Sequence, residues 1–138
     1  MTDASPTPAP APTQSGARFH RWMRLVRGSD FARVYKQGSR ARGDLVTIAV
    51  LPNGGPTTRL GLSVGRKCWK SAVRRNRVRR VFREAFRLEY AKLPAGHDIV
   101  VIGSVPQVEP ELSAARRELV RLARKAATRA AERRGERP

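Results

Sequence analysis

Residues Arg66–Arg87 read RKCWKSAVRRNRVRRVFREAFR, ten Lys or Arg against a single acid, Glu84. Placed on a helix at about 100° per residue, Val78, Val81, Phe82, Ala85, Phe86 and Leu88 gather on one side. Asn76, Arg80, Arg83 and Arg87 fall within about 60° of one another on the opposite side. One helix therefore packs an apolar face on a core and holds up a row of guanidiniums. A guanidinium is planar, permanently charged and able to grip a phosphate with two hydrogen bonds. With offsetting acids nearly absent, the segment calls for a polyanion, and nucleic acid is the polyanion it suits.

Composition agrees. The chain has 138 residues and a formal net charge of +18, an excess that repels itself unless counter-ions or a polyanion neutralise it. Hydrophobic residues make up 40%, enough for a packed core rather than a basic tail alone. No run of ~18 apolar residues offers a membrane span, and the N-terminus lacks the pattern of a signal peptide. The single cysteine, Cys68, cannot form an intramolecular disulfide and fits a reducing compartment, with the cytoplasm as the expected location.

Outward from the basic stretch, the chain divides into three parts. Residues 1–18 are rich in Pro and Ala, without periodicity, and are expected to be disordered. Residues 19–129 hold the periodic segments. Ser29 reads as an N-cap and Gly38 as a stop, with Phe31, Val34 and Tyr35 on one helical face between them. Leu45–Pro52 and Arg59–Val64 read as strands, and the Asn53-Gly54-Gly55-Pro56 turn predicts that they pair as a hairpin. The basic helix is expected from about Arg75 to Lys92. His97–Gly103, HDIVVIG, is a continuous apolar strand of the kind buried on both faces. Pro110 suits a first helical position, and Leu112, Ala115, Leu119, Leu122 and Ala126 stripe the last helix. Residues 130–138 are expected to fray. The order is helix, strand, strand, helix, strand, helix: an α+β chain, built as a two-layer α/β sandwich.

Catalytic chemistry is thin. Asp30, Asp44, Glu84, Glu89 and Asp98 are scattered and make no paired metal-binding motif. One Cys and two separated His exclude a structural zinc site. His97 beside Asp98 is the sole suggestive acid–base pair, and adjacent strand residues face opposite sides. Trp69, just before the basic helix, suits either stacking on RNA or capping the core.

The segment RRNRVRR (Arg74–Arg80) followed by VFREAFR resembles the signature of the protein subunit of bacterial ribonuclease P. LVRGSDFARVYKQGSR, RLGLSVGRK and AGHDIVVIG resemble the family's first helix, the strand before the signature and its last strand, so the resemblance covers roughly Arg24 to Ala127. It implies a fold similar to the second domain of ribosomal protein S5, with a left-handed crossover. It also implies a catalytic RNA as partner and cofactor. That RNA holds the Mg2+ ions and removes the 5′ leader of precursor tRNA, and no catalytic residue, obligate protein partner or membrane is involved. Carried over residue by residue, the RNA contacts are Arg75, Asn76, Arg77, Arg79, Arg80 and Arg83, flanked by Arg66, Lys67 and Arg74. The resemblance makes Phe31 and Tyr35 the aromatics of a leader-binding cleft. The facing strand position is Ile48, where some members carry an aromatic. The protein's implied part is to raise affinity for substrate and for magnesium. A ribosomal-type RNA-binding structural protein is the alternative, and a stand-alone ribonuclease is disfavoured by the scattered carboxylates.

Overall fold

The computed structural model describes residues 20–104 and 109–133. Helix α1, Gly28–Gln37, puts Val34 fully inside, with Phe31 and Tyr35 beside it at helical spacing. Its cap is Arg27, which contributes no side-chain bond; Ser29, expected to cap, lies within the first turn. The backbone N–H groups of Asp30 and Phe31 bond Arg27 O instead. Gly38 ends the helix as expected, donating its N–H to Val34 O.

Four strands follow: β1 (Ser39–Arg42), β2 (Val46–Pro52), β3 (Arg59–Ser63) and β4 (His97–Gly103). Between β3 and β4 runs α2, Ala72–Glu89, which starts earlier than the apolar stripe alone predicts. The reason is Ser71, whose hydroxyl accepts from the N–H of Arg74, supplying an N-cap. A 3-10 turn, Tyr90–Lys92, finishes this segment. Helix α3 spans Leu112–Arg133, so Pro110 stands just outside it rather than at its first position. Ala130 is buried, so the helix continues past the point where fraying was expected. The Pro/Ala-rich segment 1–18 and residues 134–138 lie outside the described residues.

The sheet order is β1-β2-β4-β3. Strands β2 and β4 pair antiparallel from Val46↔Gly103 to Pro52↔His97, and β3 pairs parallel with β4. The expected hairpin of β2 with β3 is therefore overturned, because β4 lies between them. The physical reason is burial. Asp98, Ile99, Val100 and Val101 are all buried, and a strand apolar on both faces belongs at the centre of a sheet. Strand β1, unrecognised in the sequence, pairs antiparallel with β2 and buries only Ser39 and Ala41.

Helices α2 and α3 cover one face. Val78, Phe82, Ala85 and Phe86 meet Leu119 and Leu122 over Ile48, Val50, Leu60, Ile99 and Val101. Each fully buried Phe contributes roughly 1.5–3 kcal/mol of apolar burial. Helix α1 covers the other face, over Ala49 and Val100. The result is an α+β fold on a mixed sheet, as expected.

Candidate RNA interface

Several arginines of α2 are held in place. Arg74 Nε donates to Glu109 Oε2 at 2.6 Å and Arg77 reaches Glu109 Oε1 at 3.3 Å. Arg75 donates from one Nη to the carbonyls of Trp69 and Lys70, both at 2.9 Å. Arg79 donates to Asn76 Oδ1 at 2.9 Å and to Val64 O at 3.4 Å. A guanidinium has five N–H donors, so each of these clamps fixes the side chain and leaves donors for a phosphate. The Arg74 hydrogen bond, with Arg77 helping, holds the Glu109 carboxyl below the usual range, so the acid stays ionised. Arg80 is exposed and makes no hydrogen bond or ion pair among the described residues. Burial, then the charges of Arg24, Arg79 and Arg80, push the Arg83 pKa down, which marks a dense knot of like charge. Arg66 and Lys67 are exposed in the loop that leads from β3 toward α2. Arg87, on the same helical side as Arg80, pairs with Glu84 and is partly withdrawn from that row.

Trp69 resolves the choice left open by its sequence position. It is 1% exposed, and its ring lies against Gly103, where an added Cβ would sit 2.5 Å from a ring carbon. It caps the core. Cys68 beside it is buried and free.

On the opposite face of the sheet, Phe31 lies over Gly61 of β3. A Cβ there would come within 2.8 Å of two Phe31 ring carbons, so glycine is what lets the ring settle on the sheet. The Phe31 and Tyr35 rings are 6.4 Å apart and tilted by 44°. The Arg40 guanidinium stands 5.6 Å from the centre of the Tyr35 ring. Both rings are only partly buried. Ile48 does not join them. It is 0% exposed and packs with α2 and α3 on the other side of the sheet. Side chains alternate along a strand, so the β2 residues on the α1 face are Thr47, Ala49 and Leu51.

Sequence reasoning missed Arg40 and Arg42. They alternate with buried Ser39 and Ala41, so both project on the α1 face; that alternation in Ser39–Arg42 was the available signal. It also missed the anchor of α1. Asp98, 1% exposed, accepts from Arg59 Nε and Nη at 2.8 Å each and from Asn53 Nδ2 at 2.9 Å, with Arg33 of α1 at 3.6 Å. The Asp98 hydrogen bond holds the Arg59 guanidinium above its ordinary pKa. His97 faces away, its Nδ1–H donating to Ala95 O at 2.9 Å, so the His97–Asp98 neighbours form no acid–base pair. Among the described residues, no group of three His, Cys, Asp or Glu is placed to hold a metal ion.

Strand β3 links the two regions. Phe31 rests on its Gly61, and Arg79 of α2 reaches the Val64 carbonyl just beyond its end. This is the class of small α+β proteins that carry a cluster of guanidiniums on one helix and two partly buried aromatic rings across the sheet. The family model described as Ribonuclease P matches residues 19–127, and the chain belongs to that family. The ribonuclease P protein component of Clostridioides difficile is 42% identical over 88 residues, 63% of this chain and 76% of the relative. That of Caldanaerobacter subterraneus is 32% identical over 102 residues, 74% and 87% of the two chains. The solved Thermotoga maritima protein superposes with a TM-score of 0.66 at 31% identity, covering 74% of this chain and 96% of its own. The Staphylococcus aureus protein gives 0.65 at 28%, covering 76% and 94%. As a family member the chain is a subunit of the endoribonuclease of tRNA 5′ processing, and its partner is the ribonuclease P RNA.

Proposed function

We propose that α2 binds the ribonuclease P RNA through Arg75, Asn76, Arg77, Arg79, Arg80 and Arg83, with Arg66, Lys67 and Arg74 flanking. In the same reading, Phe31 and Tyr35 hold the single-stranded leader of precursor tRNA, with Arg40 and Arg42 beside them. The observation that supports this is the contact of both groups with one strand: Phe31 of α1 rests on Gly61 of β3, and Arg79 of α2 reaches Val64 O just beyond its end. Stacking on aromatic rings suits a leader of variable sequence, because every base offers a π-face. Catalysis belongs to the RNA in this reading, which also binds the Mg2+. The protein lowers the magnesium requirement by neutralising phosphates that would otherwise need counter-ions.

The test is precursor tRNA cleavage at low magnesium with protein alone, ribonuclease P RNA alone, and both. Cleavage only with both, leaving a 5′-phosphorylated mature end, supports the reading. Tight RNA binding without enhancement would leave a ribosomal-type binding module.

A further inference from the structure

We infer that α3 carries a second RNA-binding surface, which takes the phosphate backbone of the ribonuclease P RNA and is distinct from the α2 row and the cleft. The inference deepens the proposed function and rests on it. An open groove of about 490 Å3 runs between α3 and the C-terminal end of α2, lined by Glu89, Lys92, Arg116, Arg117, Arg121 and Arg124 among others. Its one carboxylate is already spent. Glu89 is buried and accepts from Arg116 at 2.5 Å, with Lys92 at 3.4 Å. The nearest acid on α3 is spent too: Glu118, also buried, accepts from the N–H groups of Leu45 and Val46 and meets Arg121 only at 4.0 Å. Arg117 and Arg124 are exposed and have no hydrogen bond or ion pair among the described residues.

The three exposed arginines are also aligned. Arg117, Arg121 and Arg124 fall within about 60° on the helix, over roughly 10 Å of its axis. A helix face that is merely solvated usually interleaves acids three or four residues from its cations. Here, between Ser113 and Lys125, the only acid is buried Glu118. Like charge left uncompensated in this way favours a polyanion. Two observations select the RNA subunit. The groove shares Glu89 and Lys92 with the end of α2, so it extends from the helix assigned to that RNA, whereas the leader cleft lies across the sheet. A lipid surface is disfavoured because, among the described residues, the large exposed apolar side chains are Val26 and Val73, neither of them on α3.

The experiment measures binding of the full-length protein to ribonuclease P RNA across a salt series. The variants are the triple Arg117→Gln/Arg121→Gln/Arg124→Gln and the double Arg77→Ala/Arg80→Ala. Gln keeps helix propensity, and a thermal melt checks folding. The triple variant is expected to flatten the slope of log K against log salt by about 2 to 3 units. An unchanged slope in the triple variant beside a flattened one in the double overturns the α3 surface alone. If neither changes, the α2 assignment falls with it. A parallel series with precursor tRNA alone adds one more outcome: a loss confined to tRNA overturns the choice of partner.

Discussion

Removing Asp98 separates a structural anchor from a catalytic acid. Its carboxylate is 1% exposed and holds Arg59 by two bonds and Asn53 by a third, with Arg33 of α1 nearby. Breaking a buried pair by deleting one partner costs about 3–5 kcal/mol. Arg59 is 29% exposed and lies 3.9 Å from Asp30, so it recovers some hydration and some pairing. Asp98→Ala should therefore cost about 3 kcal/mol, the lower end of that range. For a domain of this size that lowers Tm by roughly 12 °C. Asp98→Asn, which keeps the shape and an acceptor, should cost less. Urea unfolding followed by circular dichroism gives the free energy. Cleavage by the enzyme reassembled with ribonuclease P RNA, at a temperature where the variant is folded, gives the activity. A loss under about 1 kcal/mol would refute the anchor, since that is the ordinary effect of a substitution with no special site. Abolished cleavage in a variant of normal stability would refute the non-catalytic assignment.

Three further outcomes follow from the geometry. Phe31→Ala should weaken binding of leader-bearing tRNA to the holoenzyme by about 1–3 kcal/mol, a single stacked base, while mature tRNA binds as before; equal losses for both in a titration would remove the cleft. Gly61→Val should displace the Phe31 ring, because the new Cβ alone would come within 2.8 Å of it, and should reproduce the leader-specific loss. The third concerns acid. Burial raises the Glu89 carboxyl, but the Arg116 hydrogen bond and the nearby charges of Arg116 and Lys92 outweigh it, leaving the pKa lowered. A lowered native pKa means stability that is full above the ordinary carboxylate range and lost as pH falls through the native value. Glu89→Gln should flatten the decline of stability in that acidic window, as read from denaturant midpoints; an unchanged acid limb would show that the ion pair contributes nothing.

The sequence made some elements legible and hid others for identifiable reasons. His97–Gly103 was readable because an unbroken apolar run admits one placement, a strand covered on both sides. The pairing of β2 and β3 was misread because Asn53–Pro56 supplies good local turn chemistry, whereas partners in a sheet are chosen by burial across the whole chain. β1 escaped notice because half of its residues are arginines, and its inward residues, Ser39 and Ala41, are small. On α2 the arginine row was visible from helical spacing, but the clamp from Glu109 was not, since it comes from 32 residues beyond Arg77. Ile48 shows how narrow the margin is in a strand. With a side-chain period of two, an assignment off by one residue exchanges the cleft for the core.

The strand at the centre of the sheet is made after the elements it joins. During synthesis β1 and β2 can pair across a short turn, but β3 gains its strand partner only when residues 97–103 emerge. By then the whole of α2 has been made, with its apolar face waiting for a floor that β4 helps to complete. Long-range parallel pairing of this kind is slow, because loop closure precedes any contact that rewards it. A chain interrupted before His97 thus loses the middle of its sheet, and leaves the arginine helix only part of the floor it packs on.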